Sequence, residues 1–219
     1  MVNSLEGDDA ESLPSYVQFI GWVGGKEIIF CGGFAYKKNV ILSNGHCLYA
    51  RDQSKFKLKI GNTNANEGSI VEVDKIILHE NYESNNPDSD EFDIGLVIPK
   101  NDIPESNLME IYDEEITSEG PGIATGFAKH VLDGKNRPKL QISDESYIPL
   151  NERKFSSEAD VLPGDSGSPM LIKKKGKVYA LGILQGGGIE KTSDDVAASY
   201  IKLKYFIPWI NEKSAANSE

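Results

Sequence analysis

Short runs of β-branched and aromatic residues recur along nearly the whole chain, separated by Gly, Asn, Asp and Pro. Residues 56–60, for example, alternate strictly between apolar and basic side chains and stop at Gly61. Such spacing and punctuation are typical of an antiparallel sandwich or barrel. We predict strands over residues 17–23, 28–36, 40–42, 56–60, 70–73, 76–78, 94–98, 123–127, 140–142, 170–172, 178–184 and 200–203.

Helical patterns are almost absent. No ten-residue amphipathic helix lies between the strands, which argues against parallel βαβ units. One short helix is expected over residues 206–214, with Pro208 in its first turn. A chain of 219 residues fits one all-β domain, in which two halves are joined within the polar stretch 101–120.

The composition excludes some partners. A net charge of −11 argues against nucleic acid, because phosphate backbones need a basic face, and it suits cationic partners better. We interpret the acidic clusters 88–91 and 113–115 as solvated loops. No apolar run reaches the length of a membrane span. Acidic residues come almost at once, so we expect that any secretory leader has been removed.

The two cysteines, Cys31 and Cys47, are sixteen residues apart, a spacing that fits neither CxxC redox chemistry nor a zinc knuckle. One disulfide is the simplest interpretation, and it would place the protein outside the cytosol. Closing a loop of this size stabilises the fold by about 3 kcal/mol in the chain-entropy model. Two buried free thiols are the alternative.

Three residues are candidates for chemistry. His46 stands beside Cys47 at a strand end, where it would be held rigidly as a general base, or it is a structural histidine. Asp93 precedes a buried strand, where it would orient an imidazole or simply cap a turn. Ser166 lies between Asp165 and Gly167 in the glycine-rich sequence GDSG. This sequence is either a tight surface turn or a turn that directs backbone N–H groups at an oxyanion.

Together the three are more informative than each alone. The order His, Asp, Ser is that of the chymotrypsin type among the catalytic triads. The blocks CGGFAYKKNVILSNGHC, DIGLV and GDSGSP resemble those of the trypsin-like (chymotrypsin-fold) serine proteases. ILHENY, ATGF and YIKLKYFIPWI also match, so the resemblance covers nearly the whole chain.

The resemblance implies one peptidase domain over residues 1–219, formed by two six-stranded antiparallel β-barrels with the active site between them. The barrels would span about 17–105 and about 120–204, before a C-terminal helix at about 206–214. In the family Ser166 would be the nucleophile, His46 the general base and Asp93 its orienting partner. The N–H groups of Gly164 and Ser166 would form the oxyanion hole, and Cys31 and Cys47 would be disulfide-bonded.

The resemblance also implies a specificity. Asp160 lies where a carboxylate at the base of the primary pocket selects Arg or Lys, although Glu158–Asp160 is alternatively an acidic loop. Gln185, Gly187 and Ala198 fall at substrate-binding positions, the first two on a strand that binds the substrate backbone.

Several positions depart from the family pattern. Gln185 replaces a serine that bonds the catalytic aspartate, and it could donate an amide hydrogen bond instead. Ala198 replaces a glycine, Asn44-Gly45 replace an alanine pair, and Leu162 replaces a disulfide cysteine. In active members a new amino terminus pairs with the aspartate equivalent to Asp165. Here residues 1–4 read MVNS, which leaves open whether this form is activated or zymogen-like.

We therefore expect a secreted serine endopeptidase that cleaves after Arg or Lys. Its partners would be protein or peptide substrates and protein protease inhibitors, and we expect a monomer that binds no nucleic acid or membrane. No cofactor is expected, and the loop after Ile60 is too short for the family's calcium site, so no metal is expected. The alternative is a catalytically weak or inactive homologue that acts as a secreted binding or effector module.

Overall fold

The computed structural model describes residues 8–9, 12–49, 51–127, 136–190 and 196–216. The chain is mostly β, with two sheets and two α-helices in these ranges. The strands are β1 (Asp8–Asp9), β2 (Tyr16–Val23), β3 (Lys26–Lys37), β4 (Val40–Ser43), β5 (Lys57–Ile60), β6 (Ser69–Val71), β7 (Val73–Leu78), β8 (Gly95–Pro99), β9 (Gly120–Gly126), β10 (Gln141–Pro149), β11 (Lys154–Ser157), β12 (Pro169–Lys174), β13 (Lys177–Glu190) and β14 (Val196–Lys202). The helices are α1 (Gly45–Leu48) and α2 (Ile207–Ala215).

The first sheet is curled and has the strand order β6-β5-β2-β3-β4-β8-β7, with every pair antiparallel. Its two edge strands, β6 and β7, are consecutive segments separated only by Glu72. A core of apolar side chains fills its concave face, including Phe19, Leu58 and Val97. Alternation in β5 places Leu58 and Ile60 inside, as the sequence pattern predicts.

The second sheet closes on itself as a six-stranded barrel. Its order is β10-β11-β14-β13-β12-β9, and pairing of β9 with β10 completes the ring. The short strand β1 adds to β10 at Ile142. The predicted all-β fold of the trypsin-like proteases, with a short C-terminal helix, is thereby confirmed.

A further apolar cluster joins the sheets. It combines Phe34 and Leu96 of the first sheet with Ile183 and Ile201 of the second. Side chains of the C-terminal segment, including Phe206 and Ile210, complete it. The two sheets are therefore packed on one shared core, and the loops at their junction are held in place.

The sequence pattern misses β11 and most of β10. Residues 143–146 read SDES, and polar residues of this kind are depleted in strands. Seven consecutive pairings with β9 nevertheless keep this segment extended. Tertiary pairing decides the conformation here, against the local preference.

Candidate active site

His46 lies in α1, the single helical turn that follows β4. Its neighbour Cys47 is disulfide-bonded to Cys31 of β3, with a Cα–Cα distance of 6.2 Å. The predicted disulfide is therefore present. The disulfide fixes the backbone next to His46, and the His46 side chain is 38% exposed. The imidazole is therefore attached to a rigid backbone and is accessible to solvent.

Asp93 follows the 3-10 helix Pro87–Phe92 and precedes β8. It is 2% exposed, so its carboxylate must be paired. One oxygen, Oδ1, accepts the His46 backbone N–H at 2.7 Å, and Oδ2 lies 2.7 Å from the His46 Nδ1. With Nδ1 engaged as a donor, the basic lone pair of the neutral ring lies on Nε2, on the opposite side from Asp93.

The two residues that replace the family's alanine pair have specific contacts. The Asn44 Nδ2 donates to the Asp93 backbone carbonyl at 3.0 Å. A Cβ on Gly45 would lie 2.9 Å from the Tyr82 ring and 3.1 Å from the Asp93 Oδ1. Burial, and next the negative charge of Asp93, raise the pKa of Tyr82 to about 12. Gly45 therefore lies between a neutral tyrosine and the paired carboxylate, where a side chain would crowd both.

Ser166 is brought to His46 by contacts between the two sheets. Its backbone carbonyl accepts the Gly32 N–H of β3 at 2.8 Å. Gly167 has φ of 83°, and a Cβ there would lie 2.2 Å from the Gly32 carbonyl oxygen, so only glycine allows this approach. The Cys47 Sγ lies 3.7 Å from both the His46 Nε2 and the Ser166 carbonyl oxygen. His46, Asp93 and Ser166 thus meet at the junction of the sheets.

The Ser166 hydroxyl itself donates a long hydrogen bond, 3.5 Å, to the Gln185 carbonyl oxygen rather than to His46. Hydrogen bonds between catalytic groups are often long or misaligned in a free enzyme. Rotation of the serine side chain is the local change that a bond to His46 would need.

The backbone around Ser166 presents N–H donors. Within the described part of the chain, the N–H groups of Gly164 and Ser166 donate to no acceptor. Those of Asp165, Gly167 and Ser168, in contrast, bond to the carbonyls of Leu162, Leu184 and Asp165. Two donors near the hydroxyl are thus available to an external oxygen.

Asp165 is 4% exposed, and its Oδ2 accepts the Leu162 N–H at 3.0 Å. The predicted pairing with the amino terminus involves residues 1–4, which lie outside the described residues. Asp165 and the exposed Asp160 line one cavity of about 120 Å³, together with Gly126 and Arg137. The candidate for the primary specificity pocket is therefore the cavity beside Asp165.

A separate cleft of about 550 Å³ lies beside His46. It is lined by Asp90, Lys154 and residues 185–187 of β13. Ladder pairing of β12 with β13 ends at Ile183, so one edge of residues 185–187 has no strand partner among the described residues. On the other edge Gly187 pairs with Ala198, which is fully buried.

Gln185 differs from the expectation that its amide would reach the catalytic aspartate. Its Nε2 donates at 2.8 Å to the backbone carbonyl of Asp90, which is three residues before Asp93 in the chain. The longer glutamine side chain passes the carboxylate and reaches the 3-10 helix instead. Sequence reasoning found the residue but not its partner, because the acceptor is a backbone atom.

Comparison with known proteins agrees with this architecture. A family model described as Trypsin matches residues 8–210. Trypsin of Sarcophaga bullata is 26% identical over 166 residues, which are 67% of this chain and 65% of that relative. Trypsin eta of Drosophila melanogaster is 28% identical over 205 residues, 82% of this chain and 75% of that protein. Trypsin-1 of Astacus astacus is 27% identical over 209 residues, 83% of this chain and 86% of that protein.

None of the helices in the described ranges is both long enough and apolar enough to cross a bilayer. The family match extends from β1 into α2, so it includes both sheets and every residue of the site. The chain therefore belongs to the trypsin family of serine proteases.

Proposed function

We propose that this protein is a serine endopeptidase that cleaves peptide bonds through an acyl-enzyme on Ser166. The observation that carries the proposal is the pair of 2.7 Å contacts by which buried Asp93 holds both the backbone and the ring of His46. A buried carboxylate in this position fixes the tautomer and stabilises the imidazolium that forms during reaction.

The geometry supports a two-step acyl transfer. The Ser166 Oγ attacks the carbonyl carbon while its proton moves to the His46 Nε2. The oxyanion is stabilised by the N–H groups of Gly164 and Ser166, which have no other acceptor in the described structure. His46 then protonates the leaving amine, and water releases the acyl group by the same steps in reverse order.

The substrate backbone would lie along the unpaired edge of residues 185–187 as an added antiparallel strand. We propose that Asp160 binds an Arg or Lys side chain immediately before the scissile bond, because a charge-assisted hydrogen bond in a narrow cavity selects such groups. Gln185, Gly187 and Ala198 would form the adjoining walls. Protein protease inhibitors would use the same strand.

The cellular setting and organisation follow from the same residues. A disulfide is stable in oxidising compartments, so we propose a secreted protein. We propose one monomeric peptidase domain with barrels over about 17–105 and about 120–204, followed by the helix at about 206–214. Its activity would need the Asp165 carboxylate to be paired, as in the family.

Hydrolysis of short chromogenic amides that end in Arg or Lys tests the peptidase function. We expect the wild type to release the chromophore and Ser166→Ala to lower kcat on the order of 10⁶-fold, since the nucleophile is lost. Equal rates for the two proteins would exclude Ser166 as the nucleophile.

Substitution of Asp160 tests the specificity separately. In Asp160→Ser the preference for Arg and Lys over neutral side chains should fall by about two orders of magnitude, because the carboxylate that would bind the basic side chain is removed from the cavity. Competing substrates in one mixture give the ratio of kcat/KM directly. An unchanged profile would show that Asp160 does not bind the side chain.

The 3.5 Å bond of Ser166 to Gln185 favours a second function, a binding module with little catalysis. In that case Ser166→Ala would leave the protein's behaviour towards peptides unchanged. Peptide binding without hydrolysis, measured by calorimetry on the wild type, would support this second function.

A further inference from the structure

We propose that Gln185 is a positioning residue that holds the Asp93–His46 pair through the backbone carbonyl of Asp90. This inference rests on the proposed peptidase function, because it assigns Gln185 a part in that reaction. It concerns the glutamine side chain, which is distinct from the strand edge that would bind substrate.

The Asp90 carbonyl is shared by two donors. The Gln185 Nε2 donates to it at 2.8 Å, and the Asp93 backbone N–H donates to it at 3.3 Å. A carbonyl oxygen has two lone pairs and can accept both. The stronger, shorter bond from Gln185 therefore sets the position of the acceptor on which the Asp93 backbone depends.

Asp93 sits where a helix end needs such support. It is the C-cap of the 3-10 helix Pro87–Phe92, and helices of this kind have poorer hydrogen-bond geometry and fray readily at their ends. The Asp93 carbonyl is held from the other side by the Asn44 Nδ2 at 3.0 Å. Asn44 directly follows β4 of the first sheet and Gln185 lies in β13 of the second, so the Asp93 backbone is fixed between both.

The same residue also contacts the nucleophile. The Ser166 hydroxyl donates to the Gln185 carbonyl oxygen at 3.5 Å. Gln185 thus links Ser166, through its backbone, to the Asp93 segment, through its side chain. A change in the side chain should alter the alignment of the reacting groups more than the binding of substrate, and so should lower kcat more than it changes KM.

The test compares Gln185→Met and Gln185→Glu with the wild type. Methionine keeps the length of the side chain but cannot donate, and a glutamate carboxylate would be repelled by the Asp90 carbonyl. Gln53→Met is the matched control, since it makes the same substitution at an exposed glutamine outside the residues that line the cleft. Far- and near-ultraviolet circular dichroism establishes that each variant is folded.

Two measurements are made on each protein. One is kcat and KM on an amide substrate, and the other is the downfield proton resonance of the His46 Nδ1–H, assigned by its loss in Asp93→Asn. We expect both Gln185 variants to lower kcat about tenfold, the effect of one hydrogen bond on a barrier, with KM within about twofold. We expect their downfield resonance to broaden or disappear, while Gln53→Met keeps kcat and the resonance of the wild type.

Wild-type kcat and an unchanged resonance in folded Gln185→Met would overturn the inference. So would a loss confined to KM, because that would make Gln185 a binding residue only. If the wild type shows no Ser166-dependent hydrolysis, the proposed function fails. The His46 Nδ1–H resonance still tests whether Gln185 positions the Asp93–His46 pair. A signal lost in Gln185→Met and kept in Gln53→Met supports the positioning role without any turnover.

Discussion

At the residue scale, the site depends on close approaches that a larger side chain would prevent. Gly45 separates the Tyr82 ring from the Asp93 carboxylate, and Gly167 lies directly on the Gly32 carbonyl. The first approach lies beside the Asp93–His46 pair, and the second joins the turn that carries Ser166 to β3. Both glycines are therefore needed for the site geometry rather than for chain flexibility.

Gly45→Ala should disturb the Asp93–His46 pair. Its methyl group would lie 2.9 Å from the Tyr82 ring, so one of the neighbours must move. We expect the free energy of unfolding to fall by about 1–3 kcal/mol, as for overpacked sites, and kcat to fall with it. Urea unfolding monitored by fluorescence measures the first quantity.

Gly186→Ala is the stability control, because no atom lies within 4 Å of a Cβ at that position. Its free energy of unfolding should stay within about 0.5 kcal/mol of the wild type. A stability loss as large as that of Gly45→Ala would show that the contact with Tyr82 is not the cause.

At the element scale, the loop over residues 62–67 is organised by one buried side chain of β2. The two N–H groups of the Gln18 Nε2 are shared among the carbonyls of Asn64 at 2.9 Å, Glu67 at 3.2 Å and Asn62 at 3.3 Å. Its Oε1 accepts the Asn66 N–H at 2.7 Å. The loop in turn bonds the chain at the start of β10, where the Leu140 N–H donates to the Thr63 carbonyl at 2.7 Å. The Gln18 amide thus bonds a group of convergent backbone carbonyls. In other proteins, oxygen atoms arranged in this way bind a hard cation such as Ca²⁺.

Gln18→Met should therefore destabilise the protein. Three carbonyls and one N–H lose their partner, and each buried group left unpaired costs about 1–3 kcal/mol, less where water reaches it. We expect a total loss of about 2–4 kcal/mol in the free energy of unfolding.

Gln53→Met is the matched control, because Gln53 is exposed and should change stability by less than about 0.5 kcal/mol. Equal effects of the two substitutions, measured by urea unfolding, would contradict the role given to Gln18. Adding or chelating calcium should leave the unfolding midpoint of the wild type unchanged.

At the scale of the whole molecule, the C-terminal helix returns from the barrel of the second sheet to the curled first sheet. The His79 ring lies 4.9 Å from the rings of Phe92 and Trp209 and 5.5 Å from that of Phe206. Glu80 forms an ion pair with Lys213 and accepts the Trp209 Nε1–H at 2.7 Å. The helix therefore covers the loop that leads to Asp93.

This contact should make stability depend on pH. Burial among the rings lowers the pKa of His79 below its ordinary value of 6.5, and Lys213 and Arg153 lower it further against the opposing charge of Glu80. Below pH 6.5 the unfolded chain binds a proton that the folded chain does not. The stabilisation present above 6.5 is therefore lost as the pH falls from 6.5 through the folded value.

Melting curves of the wild type and His79→Phe between pH 8 and 5 measure this effect. We expect the melting temperature of the wild type to fall more steeply on acidification, because phenylalanine keeps the aromatic packing and does not titrate. Parallel curves would contradict the assignment to His79.

The sequence allowed the fold class and three site residues to be predicted, because alternating strands and the blocks around His46, Asp93 and Ser166 are local patterns. It did not predict that Gln185 bonds the Asp90 carbonyl, since backbone acceptors carry no sequence signal. The acidic clusters, interpreted as solvated loops, are largely exposed and also form ion pairs: Glu91 lies 3.4 Å from Arg153, and Glu115 lies 3.0 Å from Lys204. These partners are distant in sequence, and only the folded chain brings them together.

Labelling with an organophosphorus fluoride tests the central claim most directly, because only a serine activated by a base reacts rapidly. We predict one adduct per molecule of wild type by intact mass, located on Ser166 by peptide mapping, and none in Ser166→Ala or His46→Ala. An unlabelled, folded wild type, or an adduct that survives in Ser166→Ala, would contradict the assignment of Ser166 as the nucleophile.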